Sequence, residues 1–233
     1  MYKNKTFLAV IPARSGSKGI PNKNIVDVNG KPLIQYTIDE ALKSKYLDRV
    51  IVSTDSEKIA GVARRCGADV PFLRPAKLAS DTAKTIDVLI HVINKLKKQG
   101  EQYDYLVLLQ PTQPLRQVFH IDEAIEKIVD NNKSSLVSVS KVKEHPILMR
   151  TIKEDGTLEK LLKVSSTVRR QDFPDCYKVN GAIYINKIDK TFNNNLSLND
   201  NKLSYIMEEK YDIDIDEPLD LEIFKIKLRE IKR

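Results

Sequence analysis

Residues 7–24 read FLAVIPARSGSKGIPNKN, and this segment decides how the rest of the chain is interpreted. It begins with the apolar run Phe7 to Ile11, which is typical of a parallel strand that is buried on both faces. Small residues and the cations Arg14, Lys18 and Lys23 follow. In such a loop, backbone N–H groups can approach phosphate oxygens while the cations neutralise them, although the spacing is not that of a Walker A loop. An exposed basic turn is the alternative, and the position directly after a strand favours the phosphate-binding loop.

The alternation of strands and helices continues along the chain. Apolar runs predict further strands at 49–55, 70–73, 105–109, 136–139 and 181–185, and helical spacing predicts helices at 31–42, 56–67, 85–98, 120–129 and from 218 onward. This order predicts an α/β fold, with a mostly parallel sheet covered by helices on both faces. Ligands bind at the carboxyl ends of the strands in such sheets. Polar segments follow four of the predicted strands at that edge, at 14–24, Asp55, Arg74 and 110–116.

The composition indicates one globular domain over residues 1–233, with 41% hydrophobic and 30% charged residues. No apolar run approaches the roughly 20 residues of a membrane span, and the N-terminal apolar stretch is too short for a signal peptide, so we expect a cytoplasmic protein. The net charge is +7, but the lysines are scattered, which argues against a nucleic-acid-binding surface. Cys66 and Cys176 lack metal-ligand spacing, and we expect free thiols.

An alternating acidic segment lies near the other end of the chain. Residues 212–216 read DIDID, which predicts a strand with its aspartates on one face and its isoleucines on the other. Asp214 and Asp216 would then present carboxylate oxygens, which suit Mg²⁺ held together with substrate phosphates. An acidic edge strand that prevents aggregation is an equal alternative on spacing alone. The basic loop at 14–24 favours the metal site, because nucleotide chemistry needs a metal.

Three other polar side chains are candidates for ligand contacts. Arg74 could bind a base or a phosphate, and Gln110, at the end of the most apolar strand, could bind hydroxyl or N-acyl groups. Arg170 could carry a cation to an anionic ligand from the polar segment Lys143 to Pro174, which interrupts the α/β pattern. We interpret this segment as a small lobe or a partner-contact arm. The alternatives are a solvated Arg74, a strand-capping Gln110 and, favoured on the pattern alone, an Arg170 that is surface charge.

Several motifs together resemble the N-acylneuraminate cytidylyltransferases, also called CMP-sialic acid synthetases. The resemblance covers nearly the whole chain and rests on 11–24, Val52-Ser53-Thr54-Asp55, Arg74-Pro75 with Ser80-Asp81-Thr82, 109–116, Arg170-Gln171, 180–185 and 212–216. It implies a Rossmann-like sheet of the nucleotide-diphospho-sugar transferase type. It also implies the transfer of CMP from CTP to the anomeric hydroxyl of a nine-carbon acidic sugar. The related enzyme for the eight-carbon sugar of lipopolysaccharide has a shorter first loop, so the chain resembles it less.

The resemblance also implies roles for individual residues, carried over by position. It places the nucleotide on Arg14, Ser17, Lys18, Lys23 and Asn24, with the cytosine end on Arg74, Thr82 and Ala83. It places the sugar on Gln110 and Tyr184, and Mg²⁺ on Asp214 and Asp216. The catalytic residues it implies are Arg14, Lys23, Arg170 and Asp216, and Asp216 is also a candidate general base.

The segment 143–174 resembles the dimerisation lobe of the family, so a homodimer is implied. Some members have a lysine shortly after the His-Pro pair of this lobe. Here residues 147–149 follow His145-Pro146, and Arg150 is the candidate to replace that lysine. The acceptor sugar is expected to be an N-acylneuraminate. Legionaminate and pseudaminate, which have the same nine-carbon skeleton, stay open, as does a nucleotide-binding module without activity.

Overall fold

The computed structural model describes residues 1–162, 164, 167 and 169–231. The strands within these residues are β1 (Phe7–Pro12), β2 (Asp27–Val28), β3 (Lys31–Pro32), β4 (Arg49–Ser53), β5 (Tyr105–Leu108), β6 (Ser135–Lys141), β7 (Arg150–Ile152), β8 (Leu158–Lys160), β9 (Tyr177–Lys187) and β10 (Leu203–Met207). The α-helices are α1 (Leu33–Lys43), α2 (Glu57–Arg65), α3 (Thr85–Lys98), α4 (Val118–Asp130) and α5 (Pro218–Ile231). None of these helices is long and apolar enough to cross a membrane.

The central sheet has the strand order β10-β6-β9-β5-β1-β4. Strands β4, β1 and β5 are parallel to one another, as are β6 and β10. Strand β9 runs antiparallel to both β5 and β6, which gives all the other strands of the sheet one direction. The prediction of a mostly parallel α/β sheet is therefore confirmed.

Helices cover both faces of the sheet, and β1 shows how the sequence achieves this. Phe7, Ala9 and Ile11 face a core cluster that includes residues of α1, α2, α4 and α5. Leu8 and Val10 face a second cluster, which includes residues of α3. All five side chains are fully buried. A strand with an apolar core on each side has no solvated face, so its sequence is a continuous apolar run instead of an alternating one.

Two of the strand predictions are wrong. Residues 70–73 form no strand, and only Asp69 makes a parallel bridge, to Ile51. Pro71 interrupts this edge because proline has no N–H to donate to a neighbouring strand. The segment 212–216 belongs to no strand or sheet. Its alternation reflects one-sided burial instead, with Ile213 and Ile215 packed in the core.

The sequence pattern also did not indicate strand β10, and it placed the start of α1 slightly too early. Lys31 and Pro32 pair with β2 in a small hairpin, and α1 begins at Leu33. The start of α2 agrees with the prediction, because the Ser56 hydroxyl accepts a hydrogen bond from the backbone N–H of Ile59.

The polar segment 143–174 lies outside the central sheet. Its described residues include the antiparallel pair β7 and β8 and the 3-10 turns Pro146–Leu148 and Arg170–Asp172. Large apolar side chains are exposed on the pair, with Ile152 at 75% and Leu158 at 67% exposure. The segment has its own two-stranded sheet, and its role as a dimerisation lobe stays a prediction.

Candidate functional site

A cavity of about 620 Å³ lies at the carboxyl ends of β1 and β5. The segments that line it come from the loop after β1, from residues 74–88, from 110–112 and from 214–217. The expectation that polar segments meet at this edge of the sheet therefore agrees with the geometry. The predicted site residues among its lining are Arg14, Ser17, Lys18, Lys23, Asn24, Arg74, Ala83, Gln110, Asp214 and Asp216.

Two cations of the first loop share one carboxylate at the mouth of this cavity. Asp81 accepts from Arg14 Nη1 at 2.6 Å, and its other oxygen is 2.9 Å from Lys18 Nζ. Hydrogen bonds from Lys18 and then Arg14 hold the pKa of Asp81 below its usual range. Because Asp81 is half exposed, these ion pairs are weak, and a more highly charged anion can displace the carboxylate.

The third cation, Lys23, joins the first loop to the acidic segment. Its Nζ donates to the backbone oxygen of Ile215 at 2.7 Å and to Asp216 Oδ1 at 2.9 Å. Gly19 lies against the same segment, where a Cβ atom would be 2.2 Å from the backbone oxygen of Asp216. A glycine is therefore required at position 19 for this close approach. The two segments, far apart in sequence, form one wall of the cavity.

Two side chains fix the shape of the loop itself. The buried Asn24 donates through Nδ2 to the backbone oxygen of Arg14 at 3.0 Å. Ser15 donates to Asp55 through its backbone N at 2.9 Å and its hydroxyl at 2.6 Å. Burial acts to raise the pKa of Asp55, but these hydrogen bonds outweigh it and hold the pKa below its usual range. Asp55 therefore anchors the loop to the end of β4 as a carboxylate.

Arg74 forms part of the cavity wall and is itself buried, at 6% exposure. Its Nε donates to the Ser53 hydroxyl at 3.2 Å, its Nη2 donates to the Ser53 backbone oxygen, and its Nη1 donates to the Leu78 oxygen at 3.4 Å. Burial lowers the pKa of Arg74 to about 10, and the Asp55 carboxylate opposes this shift. Much of the hydrogen-bonding capacity of Arg74 is thus used to hold the wall. The predicted contact Thr82 does not line the cavity, and its hydroxyl is 3.3 Å from that of Ser80.

The carboxylates of Asp214 and Asp216 line the same cavity as the cationic loop. Asp214 keeps exposed surface, but the protein around its carboxylate partly desolvates it and raises its pKa; a hydrogen bond with the Thr112 side chain opposes this shift, and the charge of Asp216 adds to it. Within the described part of the chain, no group of three or more His, Cys, Asp or Glu residues is placed to hold a metal ion. Two carboxylates beside a phosphate-sized basic loop nevertheless match the oxygen donors that Mg²⁺ uses when substrate phosphates complete its coordination.

A second cavity, of about 630 Å³, adjoins the first at Gln110 and Thr85, which line both. Tyr184 lines this second cavity, and its hydroxyl donates to Asn199 Oδ1 at 3.0 Å. Residues 194–199 supply much of its wall, so its polar lining is mainly amide and hydroxyl groups. The sequence pattern marked these asparagines only as a polar loop. Their clustering was the signal that could have indicated a binding surface.

Two predicted residues of the polar segment lie away from these cavities or outside the description. Arg150 begins β7, and its Nη1 donates to the backbone oxygens of Ile147 at 2.9 Å and Met149 at 2.8 Å. Arg170 begins a 3-10 turn, and its side chain lies outside the described part of the structure. The expected contact of Arg170 with a substrate therefore stays a prediction.

Comparisons with known proteins agree on one class of protein. A family model described as Cytidylyltransferase matches residues 8–225. A CMP-N,N'-diacetyllegionaminic acid synthase of Legionella pneumophila is 37% identical over 228 residues, which are 97% of each chain. A pseudaminic acid cytidylyltransferase of Campylobacter jejuni is 34% identical over 220 residues, which are 94% of each chain. An N-acylneuraminate cytidylyltransferase of Streptococcus agalactiae is 35% identical over 211 residues, which are 90% of this chain but only 50% of that relative.

Solved structures agree on the fold. A CMP:2-keto-3-deoxy-manno-octonic acid synthetase complexed with CTP matches with a TM-score of 0.72 and 17% identity, covering 97% of this chain and 99% of that one. A 4-diphosphocytidyl-2C-methyl-D-erythritol synthase from Anaerococcus prevotii matches with a TM-score of 0.66 and 14% identity, over the same shares of the two chains. At these identities the likeness concerns the fold alone, and it agrees with the predicted Rossmann-like sheet.

Proposed function

Because this chain belongs to the cytidylyltransferase family, we propose that it transfers CMP from CTP to the anomeric hydroxyl of a nine-carbon acidic sugar of the sialic type, with release of pyrophosphate. One observation carries the proposal. The cations Arg14, Lys18 and Lys23 and the carboxylates Asp214 and Asp216 line one cavity, which adjoins a second cavity rich in amides and hydroxyls. Such a pair of cavities suits a triphosphate beside a polyhydroxylated acceptor.

In the proposed reaction the first cavity holds CTP. Arg14 and Lys18 exchange the Asp81 carboxylate for phosphate oxygens, and Lys23 neutralises charge on the leaving pyrophosphate side while it holds the acidic segment in place. Arg74 and Ala83 line the part of the wall that we assign to the cytosine end. Preorganised cations stabilise the charge that develops on the phosphoryl oxygens, which is the main source of catalysis in this type of transfer.

Asp214 and Asp216 are the residues that would hold Mg²⁺. When bound there, the ion would neutralise the α-phosphate and the pyrophosphate leaving group. The fit is supported by the position of both carboxylates on the cavity that also contains the cationic loop. Asp216 is exposed, with Oδ1 at 2.9 Å from Lys23 Nζ, so a ligand in the cavity can reach this carboxylate.

The chemical step forms one bond and breaks another at phosphorus. The anomeric oxygen of the sugar bonds to the α-phosphorus of CTP as the bond from that phosphorus to the oxygen bridging the β-phosphate breaks. The electron pair leaves on pyrophosphate, and the hydroxyl proton passes to a base, for which Asp216 is our candidate. Gln110 and Tyr184 would orient the acceptor, because both line the second cavity.

Three acceptors of the same skeleton are candidates. We place N-acylneuraminate first, on the sequence motifs. The 37% and 34% identities to a legionaminic acid synthase and a pseudaminic acid cytidylyltransferase support the other two. A module that binds a nucleotide without turnover is the remaining candidate, and the carboxylate pair at 214 and 216 disfavours it, because binding alone has less need of a metal.

We further propose that the protein is a cytoplasmic homodimer that binds neither nucleic acid nor membrane, with the segment 143–174 at the subunit contact. The exposed Ile152 and Leu158 on β7 and β8 support this arrangement, since pairing would remove their apolar surface from water. Light scattering on the purified protein measures the mass directly, and a monomeric mass would refute the dimer.

A panel of sugars tests the function. The protein is incubated with CTP, Mg²⁺ and each nine-carbon sugar, and pyrophosphate and CMP-sugar are measured; no product with any sugar refutes the proposal. Asp216→Asn should lower the rate at least about 100-fold, because it removes a charged ligand of the proposed Mg²⁺ and the candidate base. Asp212→Asn is the matched control, since Asp212 belongs to the same segment but bonds to Lys178 at 3.0 Å, away from the cavity lining. Full activity of Asp216→Asn would refute the role of that carboxylate.

A further inference from the structure

An irregular stretch of β9 lies beneath Gln110. Strand β6 pairs with β9 at Val137 to Tyr184 and again at Val139 to Val179, so β9 carries extra residues between these two pairs. Such a bulge bends a strand and is frequent beside binding sites. Gly181 lies inside it with a φ of +79°, a backbone conformation that favours glycine.

Buried hydrogen bonds fix this bulge in one shape. The Ser138 hydroxyl donates to Asn180 Oδ1 at 2.6 Å, and the same Asn180 oxygen accepts from the backbone N of Ala182 at 3.1 Å. The backbone N of Ile183 donates to the Ser138 hydroxyl at 2.8 Å. Ser138 and Asn180 are almost fully buried, so their partners cannot be exchanged for water. The backbone at Gly181 is therefore held rigidly.

The Gln110 amide rests directly on Gly181. A Cβ atom at Gly181 would lie 2.6 Å from Gln110 Oε1, closer than real Cβ contacts allow. The missing side chain thus creates the space in which the amide of Gln110 lies. Since Gln110 lines both cavities, the position of this amide is set at the boundary between the nucleotide and the acceptor.

Arg116 holds the Gln110 segment against the same bulge. Its guanidinium is 1% exposed, and its Nη1 donates to the backbone oxygen of Ala182 at 2.7 Å and reaches that of Gln110 at 3.5 Å. Its Nε and Nη2 find no hydrogen-bond partner among the described residues. Burying a cation with unpaired donors is unfavourable, and the bonds from Nη1 offset only part of this cost. Here they tie the residue next to Gly181 to the carbonyl of Gln110.

We propose that Gly181 and Arg116 are positioning residues that hold the Gln110 amide at the boundary of the two cavities and thereby set the affinity for the acceptor, and not for CTP. This inference rests on the proposed function only for the identity of the acceptor. The far end of a glutamine is flexible, so a methyl group at position 181 moves the amide and leaves the backbone of 110–116 in place.

Gly181→Ala tests the inference in kinetics. It should raise the KM for the acceptor about tenfold, the effect of one lost hydrogen bond, and change the KM for CTP less than about twofold. Gly100→Ala is the matched control, because Gly100 also has a positive φ, +86°, but has no atom within 4 Å of its Cβ position. In a Gln110→Ala background, Gly181→Ala should have no further effect on the acceptor. The proposal would be overturned if Gly181→Ala and Gln110→Ala raised the KM for the acceptor independently and additively. It would also be overturned if Gly181→Ala raised the KM for CTP as much as the KM for the acceptor.

A second readout does not depend on turnover. The side-chain amide signal of Gln110 in a ¹⁵N spectrum, assigned by its absence in Gln110→Ala, should shift in Gly181→Ala and stay in place in Gly100→Ala. An unshifted signal would overturn the inference even if the enzyme is active. If the signal shifts but the protein uses no nine-carbon sugar, the positioning role of Gly181 stands and the proposed acceptor is refuted.

Discussion

His120 should make the stability of this fold depend on pH. Its side chain is 2% exposed, and its Nδ1 accepts a hydrogen bond from the backbone N of Gln117 at 2.9 Å. Burial, helped by the charges of Arg116 and Lys210 and opposed by Glu208, lowers the pKa of His120 to about 4. The imidazole at the start of α4 is therefore neutral in the folded protein over the whole physiological range.

The sign of the effect follows from proton binding. The unfolded chain binds a proton at the ordinary histidine pKa of 6.5, whereas the folded protein binds it only near 4. The stabilisation is thus fully present above about pH 6.5 and is lost as the pH falls towards the folded pKa. A difference of this size corresponds to about 3 kcal/mol in the free energy of unfolding.

Urea unfolding between about pH 7 and pH 4.5, followed by circular dichroism, measures this effect. Over that range the wild type should lose about 2.5 kcal/mol more than His120→Gln. Glutamine at the same helix position can accept the Gln117 hydrogen bond without titrating, so the variant keeps the cap. If the free energy of unfolding changed with pH equally in the two proteins, the reasoning would be refuted, because the pH dependence would then come from other groups.

Three further substitutions test the site. Gly19→Ala places a methyl group on the backbone of the acidic segment and should lower turnover about 100-fold, whereas Gly16→Ala, with open space around it, should stay within about twofold. Lys23→Gln removes the cation that joins the two segments, so the KM for CTP should rise at least about tenfold; an unchanged KM would contradict its role. Tyr184→Phe loses the bond to Asn199 and should raise the KM for the acceptor about fivefold, with the KM for CTP as the internal reference.

Much of the fold could be predicted because burial on both faces leaves a direct trace in sequence. The apolar runs of β1 and β5 show this, and both are interior strands with a neighbouring strand on each side. The antiparallel direction of β9 could not be predicted, since an apolar strand has the same composition in either direction. The edge strand β10 alternates between exposed and buried side chains over a short length, which resembles many polar loops.

Candidate site residues could be predicted where charged residues cluster in the sequence. They were harder to predict where the role of a side chain depends on hydrogen-bond partners that are distant in the chain. The sequence pattern singled out the basic loop and the aspartates at 214 and 216, and these line one cavity although residues 212–216 are not in a sheet. Arg74 illustrates the limit, because its bonds to the Ser53 backbone and hydroxyl depend on how the chain folds around it. Asp81 was part of a motif, but its pairing with Arg14 and Lys18 becomes visible only when two loops meet.

The bond from Lys23 to the backbone of Ile215 joins positions that are 192 residues apart. During synthesis, the basic loop therefore leaves the ribosome long before the acidic segment does. A growing chain that already contains β1 to β9 therefore has cations for a nucleotide but no carboxylates beside them. Closing so long a loop costs chain entropy, and contacts between distant residues slow folding. We therefore expect the contact between Lys23 and Ile215 to form late. A chain that lacks the acidic segment therefore lacks the carboxylate side of the first cavity.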